Sequence, residues 1–342
     1  MKLATTLLAT AALSLTSISV QAADLTIVSW GGAYSASQNN AYHKPFMAMK
    51  QGVNIINDES SNEAVAKLRA MNEAGNVTWD IVDVEGPDSQ RLCDEGLALE
   101  IDPAEWLAKA PDGTEAYVDF GPSMINKCFI PQIVFSTTFG YRTDVKEWNG
   151  AVPTSLCDIF DTAKFPGKRS LEKRPKKNIE WALLCDGVAK DDLYKVMSKP
   201  EGIQQALAKL DTIKKDVIWW SAGAETPQRL ADGEAVIGST YNGRLFSVIE
   251  EQKQPVAMLW DWQVFDFDGW IIPSGVKEDK LPLIKEYIKF ATDTQRLADQ
   301  AKYISYGPAR ASSQPLVGKH ADLGIEMAPH MPTNPANQKN YL

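Results

Sequence analysis

The side chains best suited to chemistry are aromatic and charged residues that gather where predicted strands end. Trp30 and Tyr34 flank two glycines after the first predicted strand, and Glu85 follows the third. Open α/β folds hold their ligands in loops at the carboxyl ends of strands. Further aromatic residues stand beside charges in residues 219–228, 239–244 and 265–275. This pattern favours the binding of a small molecule.

Each of these residues also has a purely structural explanation. A tryptophan is more commonly part of a core than of a binding site, which applies to Trp219, Trp220 and Trp270. Asp268 could form an ion pair with a nearby lysine, and Arg244 could do so with an acidic group on the surface. The pattern alone leaves both explanations open.

Catalysis has less support than binding. The chain contains no Gly-x-Ser-x-Gly, His-Glu-x-x-His, Walker or Gly-x-Gly-x-x-Gly motif. Its histidines, His43, His320 and His330, are far apart in the sequence and lack the spacing of metal ligands. We therefore expect a protein that is not an enzyme and that needs no cofactor or metal. A secreted hydrolase is the alternative, because a catalytic pair of carboxylates cannot be recognised by spacing alone.

The first residues predict export from the cytoplasm. Lys2 supplies a positive charge, residues 3–20 carry none, and Val20-Gln21-Ala22 has the small-x-small pattern of a cleavage site. We expect residues 1–22 to be a signal peptide and the mature protein to be soluble outside the cytoplasm. The alternative is an uncleaved membrane anchor, which the cleavage site and the short leucine-rich part disfavour.

The charge balance limits the partners that the protein can bind. Removing Lys2 with the signal peptide changes the formal net charge from −9 to −10. Binding of nucleic acid relies on clustered lysine and arginine side chains, so we expect no such partner. An acidic protein suits a cationic or neutral solute better, although net charge reflects solubility first.

Predicted strands and helices alternate in the first third of the chain. The strands span residues 25–29, 53–57 and 80–84, and the helices between them span residues 35–50 and 63–72. This order requires a parallel sheet covered by helices. Pro45 is expected to kink the first of these helices.

A second lobe is predicted from the middle of the chain. Residues 133–144 form a predicted strand that enters this lobe, and residues 262–272 form an extended run that returns to the first. Further helices are predicted at 179–185, 190–197, 202–210, 283–290 and 294–303, with a strand at 235–239. The basic stretch 164–177 is expected to be a surface loop. We expect a first lobe of residues 23–134 plus 264–310, a second lobe of residues 135–263, and a tail, residues 311–342, that packs on the lobes.

Four cysteines, an even number in an exported chain, indicate two disulfide bonds. Three pairings are possible. Joining Cys93 to Cys128 and Cys157 to Cys185 keeps each bond within one predicted lobe, and we favour this pairing. Buried free thiols are the alternative, which an oxidising compartment disfavours.

Five segments, in the right order and spacing, resemble the extracellular solute-binding proteins of bacterial ABC importers. They read SWGGAYS, WDIVDVEG, KFPGKRSL, WWSAGAETPQRLADGEAVIGSTYNGR and DGWIIPSG. The resemblance is to the branch that takes up spermidine and putrescine, and to its relatives for γ-aminobutyrate and similar amines. It covers nearly all of the mature chain. It implies an α/β fold of the periplasmic binding protein type II, with two lobes, each a mostly parallel sheet flanked by helices, joined by two strands. It also implies a ligand cleft that closes on binding, an ABC permease in the inner membrane as partner, and a monomer.

The resemblance also assigns residues to the cleft. Aromatic faces stabilise a cationic ligand by roughly 0.5–2 kcal/mol each, and Asp268 stands where family members keep an acidic residue for a ligand ammonium group. The glycines are expected to let the backbone turn tightly and to bring N–H groups near the ligand. The expected ligand-binding residues are Trp30, Gly31, Gly32, Tyr34, Glu85, Ser136, Trp220, Tyr241, Arg244, Asp268 and Trp270.

One departure from the family pattern bears on the ligand. Polyamine binders of this family tend to read Trp-Ala-Gly-Asp where this chain reads Tyr-Asn-Gly-Arg, ending at Arg244. An arginine repels a diamine but grips a carboxylate with its bidentate fork. Arg244 together with Asp268 therefore favours a zwitterionic ω-amino acid such as γ-aminobutyrate. A polyamine such as putrescine or spermidine is the alternative if Arg244 points at solvent or is neutralised by Glu85.

Overall fold

The computed structural model describes residues 23–342, and the expected signal peptide lies outside the described residues. The described chain forms one mixed sheet flanked by helices. Its strands are β1 Ala23–Val28, β2 Val53–Asp58, β3 Ile81–Glu85, β4 Ile130–Arg142, β5 Arg169–Glu172, β6 Val217–Trp220, β7 Ile237–Tyr241, β8 Val256–Ile271 and β9 Gly307–Pro308. Its α-helices are α1 Gly32–Gln38, α2 Lys44–Met49, α3 Ala64–Glu73, α4 Gly86–Asp94, α5 Pro103–Trp106, α6 Ala116–Phe120, α7 Asn178–Cys185, α8 Leu193–Met197, α9 Pro200–Asp211, α10 Glu225–Asp232, α11 Asn242–Phe246, α12 Leu281–Ala291 and α13 Thr294–Gln300.

Two parallel groups of strands are joined by two long antiparallel ones. The sheet order is β2-β1-β3-β8-β4-β7-β5-β6, with β9 added on β4. Strand β1 is parallel to β2 and β3, and β5 is parallel to β6 and β7. Strands β4 and β8 pair with each other along most of their length, with register shifts at Pro131/Ile133 and Thr137/Phe139. These two strands therefore run through both halves of the sheet.

The predicted helix over residues 35–50 is interrupted before Pro45. It consists of α1, a π-helical turn Asn39–His43, and α2. Pro45 has no N–H to donate to the carbonyl of Ala41, four residues before it, and its ring crowds that carbonyl, so a proline disturbs the turn that precedes it. The π-helical turn includes Ala41, in agreement with the expected kink.

Separate apolar cores pack on the two parallel groups. One core contains Leu25 and Ile81 together with Trp270, and a second core on the same group contains Val82 and Leu92. On the other group the core contains residues such as Phe139, Trp148, Leu171, Trp181 and Ile237. A small cluster that includes Tyr34, Phe135 and Tyr306, with Tyr241 against it, lies between these cores.

The basic stretch 164–177, expected to be a surface loop, contains a buried strand instead. All four residues of β5 are buried, and the Arg169 guanidinium donates to the carbonyls of Ile159 and Gly167. Strand β5 lies between β7 and β6, so both of its edges are paired. A four-residue strand with charged ends shows no apolar alternation, which is the reason that the sequence pattern did not reveal it.

Both disulfide bonds follow the favoured pairing. Cys93 is joined to Cys128, and Cys157 to Cys185.

The tail contains only short 3₁₀ turns, and its end pairs with β8: the Phe265 N–H donates to the Leu342 carbonyl and the Leu342 N–H donates to the Gln263 carbonyl. Within residues 23–342, no helix is long and apolar enough to cross a bilayer.

Candidate functional site

A cavity lies where β1, β3 and β7 end and where β4 and β8 pass between the halves of the sheet. Its volume is about 570 Å³, which includes the part that is open to solvent. Its walls are mainly aromatic or charged. The lining residues are Trp30, Tyr34, Asn62, Glu85, Ile133, Phe135, Glu172, Arg174, Ser221, Gly223, Tyr241, Arg244, Asp268 and Tyr306.

Six of the expected residues line this cavity: Trp30, Tyr34, Glu85, Tyr241, Arg244 and Asp268. They arrive from different parts of the chain. Trp30 and Tyr34 belong to the turn after β1 and the first turn of α1, while Glu85 ends β3 and pairs in register with Asp268 on β8. Arg244 lies on α11, directly after β7. The fold thus gathers residues that are more than 200 positions apart in the sequence.

Trp270 does not line the cavity, which corrects the expectation that it contacts a ligand. It is fully buried, and its ring lies 5.5 Å from that of Tyr42 and 6.3 Å from that of Tyr287, centroid to centroid. Trp270 is therefore a core residue, the structural alternative that the sequence left open.

Trp220 and Ser136 support the cavity from behind. Trp220 is buried, and its ring meets that of Tyr241 edge-on with centroids 6.1 Å apart. Ser136 is also buried, and its N–H donates to the Asn242 side chain at 3.0 Å. Neither residue is among those that line the cavity, and these contacts connect them to Tyr241 and α11.

The turn at Gly31 and Gly32 has backbone angles that glycine adopts freely and other residues rarely do. Gly31 and Gly32 have φ values of 77° and 58°, in the left-handed region that favours glycine. A Cβ at Gly31 would lie 2.9 Å from a carboxylate oxygen of Glu59, an exposed side chain that can move aside, so it is the backbone angle that favours glycine here. The Gly31 N–H donates to the Ser35 hydroxyl, so this N–H is engaged within the turn.

Asp268 forms the acidic end of the site. Its side chain is only 4% exposed, and it accepts a hydrogen bond from the Tyr34 hydroxyl at 3.0 Å. Burial raises the pKa of Asp268 well above its usual range, and the nearby carboxylates of Asp83 and Glu85 raise it further. A cation placed against Asp268 would relieve both effects.

The aromatic side chains around Asp268 form a partial cage. The ring of Tyr306 lies 6.0 Å from that of Tyr34 and 6.1 Å from that of Phe135, and the ring of Tyr241 lies 5.6 Å from that of Phe135. Burial raises the pKa of Tyr306 to about 12, so its hydroxyl stays protonated at neutral pH. The cage therefore presents neutral aromatic faces, which suit a cationic group.

Two other carboxylates in the cavity wall already have cationic partners. The Glu85 carboxylate lies 3.6 Å from the Lys176 ammonium, which also lies 2.5 Å from Asp266. The Glu172 carboxylate lies 3.5 Å from the Arg174 guanidinium. These groups are paired before any ligand enters.

Arg244 forms the basic end of the site. Its guanidinium lies between two glycines, since a Cβ at Gly223 would be 3.1 Å from its Nε and a Cβ at Gly32 would be 3.9 Å from its terminal nitrogen. The Arg244 Nε is buried, and within residues 23–342 it has no hydrogen-bond partner. In the same range, no carboxylate forms an ion pair with Arg244, so Glu85 does not neutralise it. Glycine at position 223 leaves room for the guanidinium beside the cavity, whereas a Cβ at Gly32 would only be in ordinary contact with it.

Several lining residues were not expected from the sequence. Glu172 and Arg174 lie in the stretch that was taken for a surface loop, and Tyr306 lies just before β9 in an otherwise ordinary helix-to-strand connection. Asn62 lies in the 3₁₀ turn Ser61–Glu63 after β2, and Ser221 lies in the loop after β6. None of these positions belongs to a recognisable local motif. A correct prediction of strand β5 would have placed Glu172 and Arg174 at a strand end.

The family profile of the bacterial extracellular solute-binding proteins matches residues 41–333. The chain belongs to this family. It is 36% identical over 309 residues to the gamma-aminobutyric acid-binding protein of Pseudomonas aeruginosa, a match that covers 90% of this chain and 83% of that protein.

Solved structures of the family are similar over nearly the whole chain. A GABA receptor is 33% identical with a TM-score of 0.76, and the match covers 93% of this chain and 90% of that one. The PBP MotA from A. tumefaciens B6, in complex with glucopine, is 26% identical with a TM-score of 0.79, and the match covers 93% of both chains. These similarities confirm the expected α/β fold of the type II periplasmic binding proteins.

Proposed function

We propose that this protein captures a zwitterionic ω-amino acid, such as γ-aminobutyrate, and delivers it to the permease of an ABC importer. The ligand ammonium group binds at Asp268 within the aromatic cage, and the ligand carboxylate binds the guanidinium of Arg244. The ligand is released unchanged, in keeping with a family of solute-binding proteins.

One observation carries this proposal: the charged groups of the cavity wall that lack an ion-pair partner are one acid and one base. Within residues 23–342, Glu85, Glu172 and Arg174 are already paired, while Asp268 and Arg244 are in no ion pair. A zwitterion supplies both missing partners at once. A diamine supplies one and brings a like charge towards Arg244, which is unfavourable in a cleft that excludes water.

Two similarities support the choice of ligand. The relative from Pseudomonas aeruginosa is named for binding gamma-aminobutyric acid, and a solved structure of similar length is described as a GABA receptor. Both are more than 30% identical to this chain. Proteins described as spermidine/putrescine binders or transporters are 16% and 18% identical, and they share the fold.

The proposal includes two lobes around the cavity, residues 23–134 plus 264–310 and residues 135–263, with residues 311–342 packed on them. The separate cores on the two parallel strand groups support this division, as does each disulfide bond, which stays within one lobe. A signal peptide of residues 1–22 and a periplasmic location belong to the same proposal.

The first test is thermal unfolding of ligand-stripped mature protein with a panel of solutes. A ligand that binds the native state raises the midpoint by mass action. We expect a shift with γ-aminobutyrate and 5-aminovalerate, and none with putrescine, spermidine or α-amino acids. A shift with diamines alone would overturn the ligand assignment, and a ligand that is recovered chemically altered would overturn the assignment as a binding protein.

Matched variants locate the two ends of the ligand. Asp268→Asn should abolish the shift, whereas Asp266→Asn on the same strand should keep it, because Asp266 is already paired with Lys176. Equal losses in the two variants would show that the general acidity of the cavity, and not Asp268, holds the amine.

A further inference from the structure

A second carboxyl group, Asp83, is buried directly behind Asp268. Asp83 lies on β3, where it pairs in register with Trp270, while Glu85 pairs with Asp268. Paired residues of an antiparallel ladder point to the same face, so Asp83 and Asp268 are diagonal neighbours, about 7–8 Å apart at their backbones. Asp83 is 0% exposed.

Neither carboxyl group has a cationic partner. Within the described residues 23–342, neither Asp83 nor Asp268 forms an ion pair within 4.0 Å, and the Oδ1 atom of Asp83 has no hydrogen-bond donor. The other oxygen, Oδ2, accepts from the Gln38 amide at 2.7 Å. Two buried carboxylates this close cannot both be ionised without a large free-energy cost.

The two groups differ in their access to stabilising partners. Asp268 opens onto the cavity and accepts from the Tyr34 hydroxyl, whereas Asp83 is fully buried, accepts from the Gln38 amide, and has the side chains of Ser29 and Asp268 within hydrogen-bond reach. The side chain that meets the ligand is therefore the better place for the negative charge. The deeper side chain, with its free Oδ1, is the better place for a proton.

We propose that Asp83 is a carboxylic acid that keeps its proton at neutral pH, so that the amine end of the site carries one negative charge instead of two. This inference rests on the proposed function only for the nature of the ligand. It makes Asp83 a positioning residue, which fixes the ionised form of Asp268 and matches the site to a single ammonium group. Burial raises the pKa of Asp83 well above its usual range, as it does that of Asp268, so the pair retains a proton more readily than exposed carboxyl groups would, and the geometry above assigns that proton to Asp83.

The groups that face the pair do not supply a compensating positive charge. Lys176 lies 3.6 Å from Glu85 and 2.5 Å from Asp266, so its single charge is already shared between these two carboxylates. The tyrosines stay protonated because burial raises the pKa of each. Arg244 is at the opposite end of the proposed ligand. The facing groups are Glu85, Tyr34, Tyr42, Tyr287, Tyr306 and Arg244.

The proton can be seen without any ligand by infrared difference spectroscopy at about pH 7. We expect the spectrum of wild type minus Asp83→Asn to show the carbonyl band of a protonated acid. A carboxylate band in its place would overturn the inference. Asp80→Asn is the matched control, since Asp80 is also buried but is paired with Lys280 at 2.7 Å, and its difference spectrum should show a carboxylate. If the asparagine variant does not fold, Asp83→Ser gives the same difference.

Calorimetry with γ-aminobutyrate provides the second readout. If Asp83 is neutral, Asp83→Asn changes no charge, and we expect an affinity loss of about threefold or less. If Asp83 is ionised, its charge attracts the ligand ammonium group. Taking about 8 Å between the two charges and an effective dielectric constant of about 20, removing the Asp83 charge weakens binding roughly thirtyfold. A thirtyfold loss would overturn the inference but leave the proposed function standing. An acid band together with no binding of any ω-amino acid would support the inference about Asp83 and overturn the proposed function.

Discussion

Arg244→Gln removes the guanidinium that we assign to the ligand carboxylate and keeps a polar side chain in its place. Truncating one partner of a desolvated, hydrogen-bonded charge pair costs about 2–5 kcal/mol, because the other partner stays buried without a counter-charge. Arg244 is half-buried in the structure, with its Nε covered and its tip towards the cavity. The lower part of that range therefore applies, about 2–3 kcal/mol, which is roughly a 30- to 150-fold loss of affinity for γ-aminobutyrate.

The assay is isothermal titration calorimetry with two ligands of equal chain length, γ-aminobutyrate and n-butylamine. Only the first carries a carboxylate, so Arg244→Gln should weaken γ-aminobutyrate and leave or improve the weak binding of n-butylamine. Arg174→Gln is the matched control, because this second arginine of the cavity wall is already paired with Glu172. The assignment of the ligand carboxylate to Arg244 is refuted if Arg244→Gln lowers the affinity for both ligands equally. It is also refuted if Arg174→Gln lowers the affinity for γ-aminobutyrate as much as Arg244→Gln does.

Three further predictions follow from the geometry. The ligand ammonium group needs the ionised form of Asp268, so affinity for an ω-amino acid should fall about tenfold per pH unit below the pKa of Asp268. Because that pKa is raised, the fall should begin at a higher pH than for an ordinary carboxyl group. An affinity that stays constant down to about pH 4 would contradict this. Trp270→Ala should lower the free energy of unfolding by about 3–5 kcal/mol in denaturant titrations, while the folded protein keeps its affinity within about threefold. Gly223→Ala should cost at least tenfold in affinity but about 1 kcal/mol or less in stability, since its Cβ would lie 2.6 Å from the ring of Tyr241; a loss of stability alone would refute it.

The parts of the fold that the sequence predicted well are those with strong periodicity. The strands near residues 25–29, 53–57 and 80–84 were expected within one or two positions, because each is a short apolar run between amphipathic helices. Strands β5 and β6 have four residues each; β5 has charged ends and β6 is partly exposed, so their place in the sheet depends on the pairing of β5 with β7 and of β6 with β5, and not on their own pattern. Only the tertiary structure reveals such strands.

The site shows the same division between local and tertiary information. Residues at strand ends, such as Trp30 and Glu85, could be placed near a ligand from sequence alone, since the sheet brings strand ends together. Trp270 could not be separated from Asp268, because the two are only two positions apart and lie on one strand. What distinguishes them is the neighbour on the next strand and helix: Trp270 meets Tyr42 and Tyr287, whereas Asp268 meets Tyr34 at the cavity.

The positions of the two charged ends connect ligand binding to the arrangement of the halves of the sheet. Asp268 lies on β8, where it is paired with β3 on one side and β4 on the other, so it belongs to the most firmly held part of the sheet. Arg244 is carried by the short helix α11 after β7, and its tip reaches the glycine turn after β1. A zwitterion that spans these two ends therefore ties β8 and the β1 turn to the second group of strands. A ligand with only an amine would engage Asp268 and leave α11 unattached, which gives a physical reason for this arginine to select both the ligand and the closed arrangement of the cleft.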